Sequence, residues 1–198
     1  MVKIFSSDLK DVLIVEPRIF EDERGFFMES YHRKKYQEAG LDRVFVQDNL
    51  SHSVQNVIRG LHYQLHHPQA KLIQVLRGVI FDVAVDIRQG SPAFGQWIGL
   101  LLSDRRHQHL FIPEGFAHGF CVLTERAEVM YKCTDFYDPD DEHGLRWDDP
   151  NLAIQWPIRN PVVSARDAEL PFLSKVSKEN LPVLSPPPSA REERRKQT

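Results

Sequence analysis

The chain has 198 residues, with 25 Lys and Arg against 28 Asp and Glu and a formal net charge of -3. That length suits one domain, or one domain and a tail, and it is enough to bury a core; the charge balance leaves no broad basic surface for nucleic acid or an anionic membrane. No apolar run reaches the roughly 18 residues of a spanning helix, Met1 to Asp8 has no signal-peptide core, and Cys121 and Cys133 stand apart in strand-like sequence; a soluble, cytoplasmic protein with reduced cysteines is expected.

Near the N-terminus, Val12-Leu13-Ile14-Val15-Glu16-Pro17 is a β-branched run closed by proline, and Phe20-Glu21-Asp22-Glu23-Arg24-Gly25-Phe26-Phe27 is a charged turn that returns into aromatics. A strand, a turn and a second strand fit this pattern. Helix formers fill Tyr31 to Ala39 and Gly40 follows, which predicts a short helix with a glycine just past its end. From Phe45 the pattern turns to strands, at 45–49, 57–64, 71–76, 79–87, 97–102, 109–112, 119–123 and 127–135. Turn signals such as Arg77-Gly78, Gln89-Gly90-Ser91-Pro92 and Asp138-Pro139-Asp140-Asp141 separate them.

Many short strands without intervening helices predict an all-β antiparallel sandwich or barrel, and a jelly roll with a few short helices is the natural solution. Gly90, Gly95, Gly99, Gly115 and Gly119 fit its corners. The apolar pattern fades after Leu173, so residues 1–180 form the domain, and 181–198, proline-rich and then charged, form a tail expected to be flexible.

The stretch Val57-Ile58-Arg59-Gly60-Leu61-His62-Tyr63-Gln64, with Lys71 shortly after, is too polar for an ordinary core strand. Either it is half-buried with a solvated polar face, or it lines a pocket where an imidazole takes a proton and cations hold the resulting negative charge. Period two along Val79 to Ile87 puts Asp82 and Asp86 on one face and valines on the other. On that reading Asp82 could orient a histidine, while Asp86 is a solvated strand end. Tyr131 lies on the face opposite Met130 and Lys132, either in the core with its hydroxyl at a rim or at a catalytic position. His118, among aromatics and beside Gly119, is either packed or a substrate contact. For a metal, the closest arrangement to a ligand set is His107-Gln108-His109, expected to face solvent on at least one side. It lacks a suitably spaced carboxylate and later histidine, and the cations near His62 oppose a divalent ion, so no metal is expected.

Taken together, Phe45 to Ser51, Val57 to Gln64, Lys71-Leu72-Ile73, Arg77 to Arg88, Ile112 to Phe120 and Tyr131-Lys132 resemble the dTDP-4-dehydrorhamnose 3,5-epimerase family, in order, over about residues 2 to 173. The resemblance implies a metal-free cupin-type jelly roll, a homodimer that needs no cofactor. Its substrate would be a dTDP-linked 4-keto-6-deoxyhexose, inverted at C3 and C5. His62 then matches the base, Tyr131 the acid, Lys71 the enolate holder and Asp167 the carboxylate partner of the histidine, with Asp82 behind them. Arg24, Glu29, Gln47, Asn49, Arg59, His118, Glu142 and Arg166 match substrate contacts, and Tyr137 matches a residue that stacks on thymine. Arg24 and Arg59 suit a diphosphate, because guanidinium forks bind phosphate oxygens in pairs.

This chain has His66-His67 where the family often has two prolines, and Arg166 where it often has lysine. The first should matter little in a connecting loop; the second could alter a contact. Two alternatives stand beside the double epimerase: a single-site epimerase or ketoisomerase on a related nucleotide sugar, and a non-catalytic cupin that binds one.

Overall fold

The computed structural model describes residues 1–184, and most of the expected tail, 185–198, lies outside them. In chain order the strands are β1 (Lys3–Ser6), β2 (Leu13–Glu16), β3 (Ile19–Asp22), β4 (Gly25–Met28), β5 (Gln47–Val54), β6 (Ile58–Gln64), β7 (Lys71–Arg77), β8 (Val79–Asp86), β9 (Trp97–Ser103), β10 (His109–Ile112), β11 (Phe116–Val122), β12 (Arg126–Cys133) and β13 (Glu142–Gly144). Helix α1 (Arg33–Glu38) lies between β4 and β5, and the single turn α2 (Ala165–Ala168) follows β13.

Two antiparallel sheets form the cupin-type jelly roll, one ordered β1-β2-β10-β7-β12-β5 and the other β13-β6-β11-β8-β9, while β3 and β4 pair as a separate hairpin. The core between the sheets joins Ile73, Val75, Leu110, Ile112 and Val129 of the first to Ile80, Ala84, Leu102, Phe116, Phe120 and Val122 of the second. The valine face of β8 points the other way. Val83, Val85 and Ile87 pack with Leu61 and Tyr63 beneath Leu145, Leu152, Ile154 and Leu181 from the C-terminal segment. A sheet covered on both faces explains the nearly unbroken apolar run of β8.

Along β7 and β12 the side chains facing the hollow change from Val75 and Val129 to Ile73 and Tyr131, and then to Lys71 and Cys133, each pair in register. One end of the interior is therefore a dry core, and the other carries polar groups.

Helix α1 is shorter than its pattern and closes as foreseen. Gly40 at φ 102° lets its N–H reach the Gln37 carbonyl and the Leu41 N–H reach that of Tyr36, the paired bonds of a left-handed helix end. Strands β1 and β13 and helix α2 are too short to carry a period and escape a reading by pattern.

Several expectations are corrected. Asp86 is no solvated strand end: it is fully buried. Arg88 Nη2 donates to its Oδ2 at 2.7 Å, Arg88 Nε to its Oδ1 at 3.0 Å and Ser91 Oγ to Oδ2 at 2.6 Å, so the charge is paired inside. Gly99 and Gly119 lie within strands, not at corners. In His107-Gln108-His109 the first two residues are partly exposed, as expected, but His109 is buried, with its Nδ1 3.2 Å from the Tyr36 hydroxyl, because β10 is an inner strand that α1 covers. The expected tail boundary falls a few residues early. Leu181 is buried, and Leu184 N–H bonds the Gln89 carbonyl, so the chain is held to the β8–β9 turn through Leu184.

Candidate active site

The polar end of the hollow opens as a cavity of about 630 Å³, walled by both sheets and by the segment 162–167. His62 of β6 and His118 of β11 enter it from the second sheet, and Lys71 of β7 and Tyr131 of β12 from the first.

A β-bulge brings Arg59 and His62 to the same cavity. They are three residues apart, so strict alternation would place them on opposite faces. His118 pairs with His62 and Phe120 with Arg59, so β6 carries one residue more than β11 across the same interval. Gly60 supplies the bend, with φ 103° and a cis peptide to Leu61. A side chain there would be blocked, because a Cβ would stand 2.5 Å from the His118 carbonyl oxygen.

Asp167 anchors the imidazole. Its Oδ1 lies 2.8 Å from His62 Nε2, and its Oδ2 accepts the Gly60 N–H at 3.1 Å. Helix α2 delivers this carboxylate, with Ser164 Oγ capping it by accepting the Asp167 N–H at 3.0 Å. The preceding residues are tied to the start of β6, where Ile58 N–H bonds Val162 O and Val162 N–H bonds Asn56 O. Burial pushes the Asp167 carboxyl up, but the bonds from His62, Gly60 and Ser164 outweigh it and leave the group below the ordinary carboxylate range. As a carboxylate Asp167 accepts the Nε2 proton, which leaves the lone pair on Nδ1.

Nδ1 has an anionic neighbour, Glu142 Oε1, at 3.7 Å. Glu142 Oε2 accepts from the Tyr137 hydroxyl at 2.6 Å and from Arg166 Nη2 at 2.6 Å. Tyr137 N–H in turn donates to Gln47 Oε1, and Gln47 Nε2 to Asn49 Oδ1. The mouth of the cavity is thus a continuous polar chain from β5 to β13. Arg59 Nε donates to Ser53 Oγ at 2.9 Å and is exposed at this rim.

Burial pulls the Lys71 ammonium below its ordinary range, against the pull of Cys133, Glu142 and Asp82. The Tyr131 hydroxyl is held above its ordinary range, chiefly by burial, and so keeps its proton at neutral pH. Asp82 is fully buried, and its two carboxylate oxygens each lie 3.0 Å from His118 Nε2. It does orient a histidine, though the neighbour of His62 and not His62 itself.

Arg24 and Glu29 do not reach this cavity. Arg24 pairs with Asp22 on the β3–β4 hairpin, its side chain 85% exposed, and Glu29 pairs with Lys35 of α1. The sequence reading passed over Ser164 and Gln64. Gln64 lines the cavity two positions beyond His62 and accepts the Asp138 N–H, a place that alternation alone would have found. Ser164 stands three residues before Asp167, the spacing of a helix cap. The His66-His67 loop also has a use for its backbone, since both N–H groups donate to the buried Asp141 carboxylate. Among the described residues no group of three or more His, Cys, Asp or Glu converges to hold a metal ion.

Comparison with known proteins identifies relatives of the chain in sequence and in fold. A family model described as dTDP-4-dehydrorhamnose 3,5-epimerase matches residues 6–175. A Shigella flexneri protein named dTDP-4-dehydrorhamnose 3,5-epimerase is 51% identical over 168 residues, covering 84% of this chain and 93% of that protein. The crystal structure of dTDP-6-deoxy-D-glucose-3,5-epimerase from Legionella pneumophila in complex with dTDP-4-keto-L-rhamnose superposes with a TM-score of 0.90 at 47% identity. It covers 94% of this chain and all (100%) of that one. A Streptomyces niveus protein named dTDP-4-dehydrorhamnose 3-epimerase is 40% identical over 169 residues, 84% of this chain and 82% of that protein.

Proposed function

Because the chain belongs to the dTDP-4-dehydrorhamnose 3,5-epimerase family, we propose that it inverts C3 and C5 of dTDP-4-dehydro-6-deoxy-D-glucose to give dTDP-4-dehydro-L-rhamnose, a step of dTDP-L-rhamnose biosynthesis. Both protons flank the C4 ketone, so removing either yields an enolate, and inversion follows when a proton returns on the opposite side. The reaction therefore needs a base, an acid across the ring and a cation at the ketone oxygen.

His62 Nδ1 is the base, made ready by the 2.8 Å contact between Nε2 and Asp167. Lys71 steadies the enolate oxygen, and Tyr131 delivers the returning proton. The observation that carries this reading is the origin of the groups: His62 projects from the second sheet, Lys71 and Tyr131 from the first, and all three line one cavity. A ring bound between the sheets meets the base on one side and the acid on the other. Arg59 and Arg166, at the rim, bind the diphosphate end, and Tyr137, 47% exposed, stacks on the thymine. Gln47, Asn49, His118 and Glu142 complete the contacts to the substrate.

The enzyme acts as a homodimer in the cytoplasm. Phe20, Phe26 and Phe27 are exposed on the β3–β4 hairpin together with Arg24; a second copy would bury this apolar tip and give Arg24 and Glu29 a role outside their own cavity.

The test is solvent exchange. In deuterated water, with no added metal or nicotinamide, the purified protein should place deuterium at C3 and at C5 of the 4-keto sugar nucleotide. Exchange at one carbon alone would make it a single-site epimerase, and tight binding without exchange a non-catalytic cupin.

A further inference from the structure

A double epimerase with one base and one acid must reset itself halfway. The first inversion moves a proton from the sugar to His62 and another from Tyr131 to the sugar, leaving an imidazolium and a phenolate. The second inversion cannot start until His62 has lost its proton and Tyr131 has regained one. The His62 side chain is itself 26% exposed toward the cavity, and a hexose seated there covers that face, so the proton leaves by the groups around the ring.

On one side the imidazole is closed off. Nε2 is engaged by Asp167, whose side chain is 7% exposed and whose other oxygen holds the Gly60 N–H. On the other side, Nδ1 faces Glu142 Oε1 at 3.7 Å. Glu142 is a carboxylate whose side chain is 12% exposed, and its Oε2 bonds Tyr137 and Arg166, whose side chain at the rim is 56% exposed.

We infer that Glu142 is the proton relay that resets His62 between the two inversions. The inference rests on the epimerase reading above, in which Nδ1 is the base. The proton passes from C3 or C5 to His62 Nδ1, then to Glu142 Oε1 once the gap closes to hydrogen-bond length, and then to water at the mouth. A proton from water restores Tyr131, so protons balance over each inversion and no oxidant or reductant takes part. Tyr137 and Arg166 keep the outer oxygen occupied and aim the inner one at the imidazole.

The experiment uses Glu142→Gln, which keeps the volume and the acceptor for Tyr137 but cannot carry a proton at neutral pH. Substrate deuterated at C5 is turned over in ordinary water and both sugars are followed by NMR. The relay predicts that substrate recovered from the wild type has lost its label to solvent, whereas substrate recovered from the variant keeps it, because deuterium held on His62 returns to C5 from the side it left; the variant also releases the product of a single inversion about tenfold or more above the wild-type fraction. It also predicts that turnover of the variant, unlike that of the wild type, rises with the concentration of a small buffer such as imidazole at constant pH and ionic strength. A purely structural role for Glu142 would lower turnover without either response, and that result would overturn the relay while leaving the epimerase reading intact. A wild-type protein that exchanges neither proton would overturn both.

Discussion

Replacing Asp167 by asparagine separates the two bonds that the carboxylate makes, and the structure fixes what each choice does. Oδ1 serves His62 Nε2 at 2.8 Å and Oδ2 serves the Gly60 N–H at 3.1 Å, so two acceptors meet two donors. An asparagine offers one acceptor and one donor. If its oxygen faces Gly60, its NH₂ faces Nε2 and drives the imidazole proton to Nδ1, the atom that must accept the proton of the sugar. If its oxygen faces His62, the NH₂ opposes the Gly60 N–H, and a buried backbone donor is left unpaired at about 1–3 kcal/mol. In either case the anion that stabilises the forming imidazolium is gone. Turnover should fall by about 10²–10⁴, the range of a disabled general base, or about 3–5 kcal/mol in the barrier. The assay is NMR exchange at C3 and C5 beside a denaturant melt of the same sample. An Asp167→Asn protein with wild-type stability and turnover within about twofold of wild type would refute the tautomer argument.

Three further outcomes follow from the same geometry. Tyr131→Phe should still let His62 remove a proton, so exchange of label out of the substrate persists while inverted product falls by about 10² or more; equal loss of both would remove Tyr131 as the acid. Gly60→Ala should destabilise the fold by about 2 kcal/mol or more, since the φ of 103° is strained for a side chain and the Cβ would stand 2.5 Å from the His118 carbonyl oxygen; an unchanged melt would show that the bulge is not required. His109 is buried, its Nε2 has no partner among the described residues, and burial holds its pKa at about 4 in the folded chain against 6.5 ordinarily. Because the folded value is the lower one, the unfolded chain binds the extra proton, and stability present above pH 6.5 is lost as pH falls toward 4. The gap sets a ceiling of about 3 kcal/mol. His109→Gln should flatten that part of the stability curve, and an unaltered slope would count against it.

Legibility in the sequence followed the length of the pattern. Strands β6 to β9, β11 and β12 are long enough for alternation and turn residues to place them within a few positions. β13 and α2 have three and four residues and show no period, although they carry Glu142 and Asp167. The pairing of His62 with Asp167 could be approached only through family resemblance, because Asp167 lies 105 positions from His62 and no local pattern joins them. Asp82 was read as a carboxylate that could orient a histidine, but which histidine depended on the strand order, which puts β11 with His118, and not β6 with His62, beside β8. Asp86 failed for a related reason: its neutraliser, Arg88, follows at a turn and folds back over the Phe116 ring at 4.4 Å, a contact that sequence spacing does not display. Arg24 and Glu29 could be matched to a motif but not to a place, since Arg24 sits on the β3–β4 hairpin, which pairs with neither sheet, and Glu29 just beyond it.

The most direct measurement of the central claim is a crystal structure of this protein with a dTDP-linked 4-keto-6-deoxyhexose, or an unreactive analogue, in the cavity. The hexose should lie between the sheets, with His62 Nδ1 toward one side of the ring at C3 and C5, the Tyr131 hydroxyl toward the other, and the Lys71 ammonium at the C4 oxygen. A sugar held with His62 and Tyr131 on the same side, or bound away from both, would contradict the account.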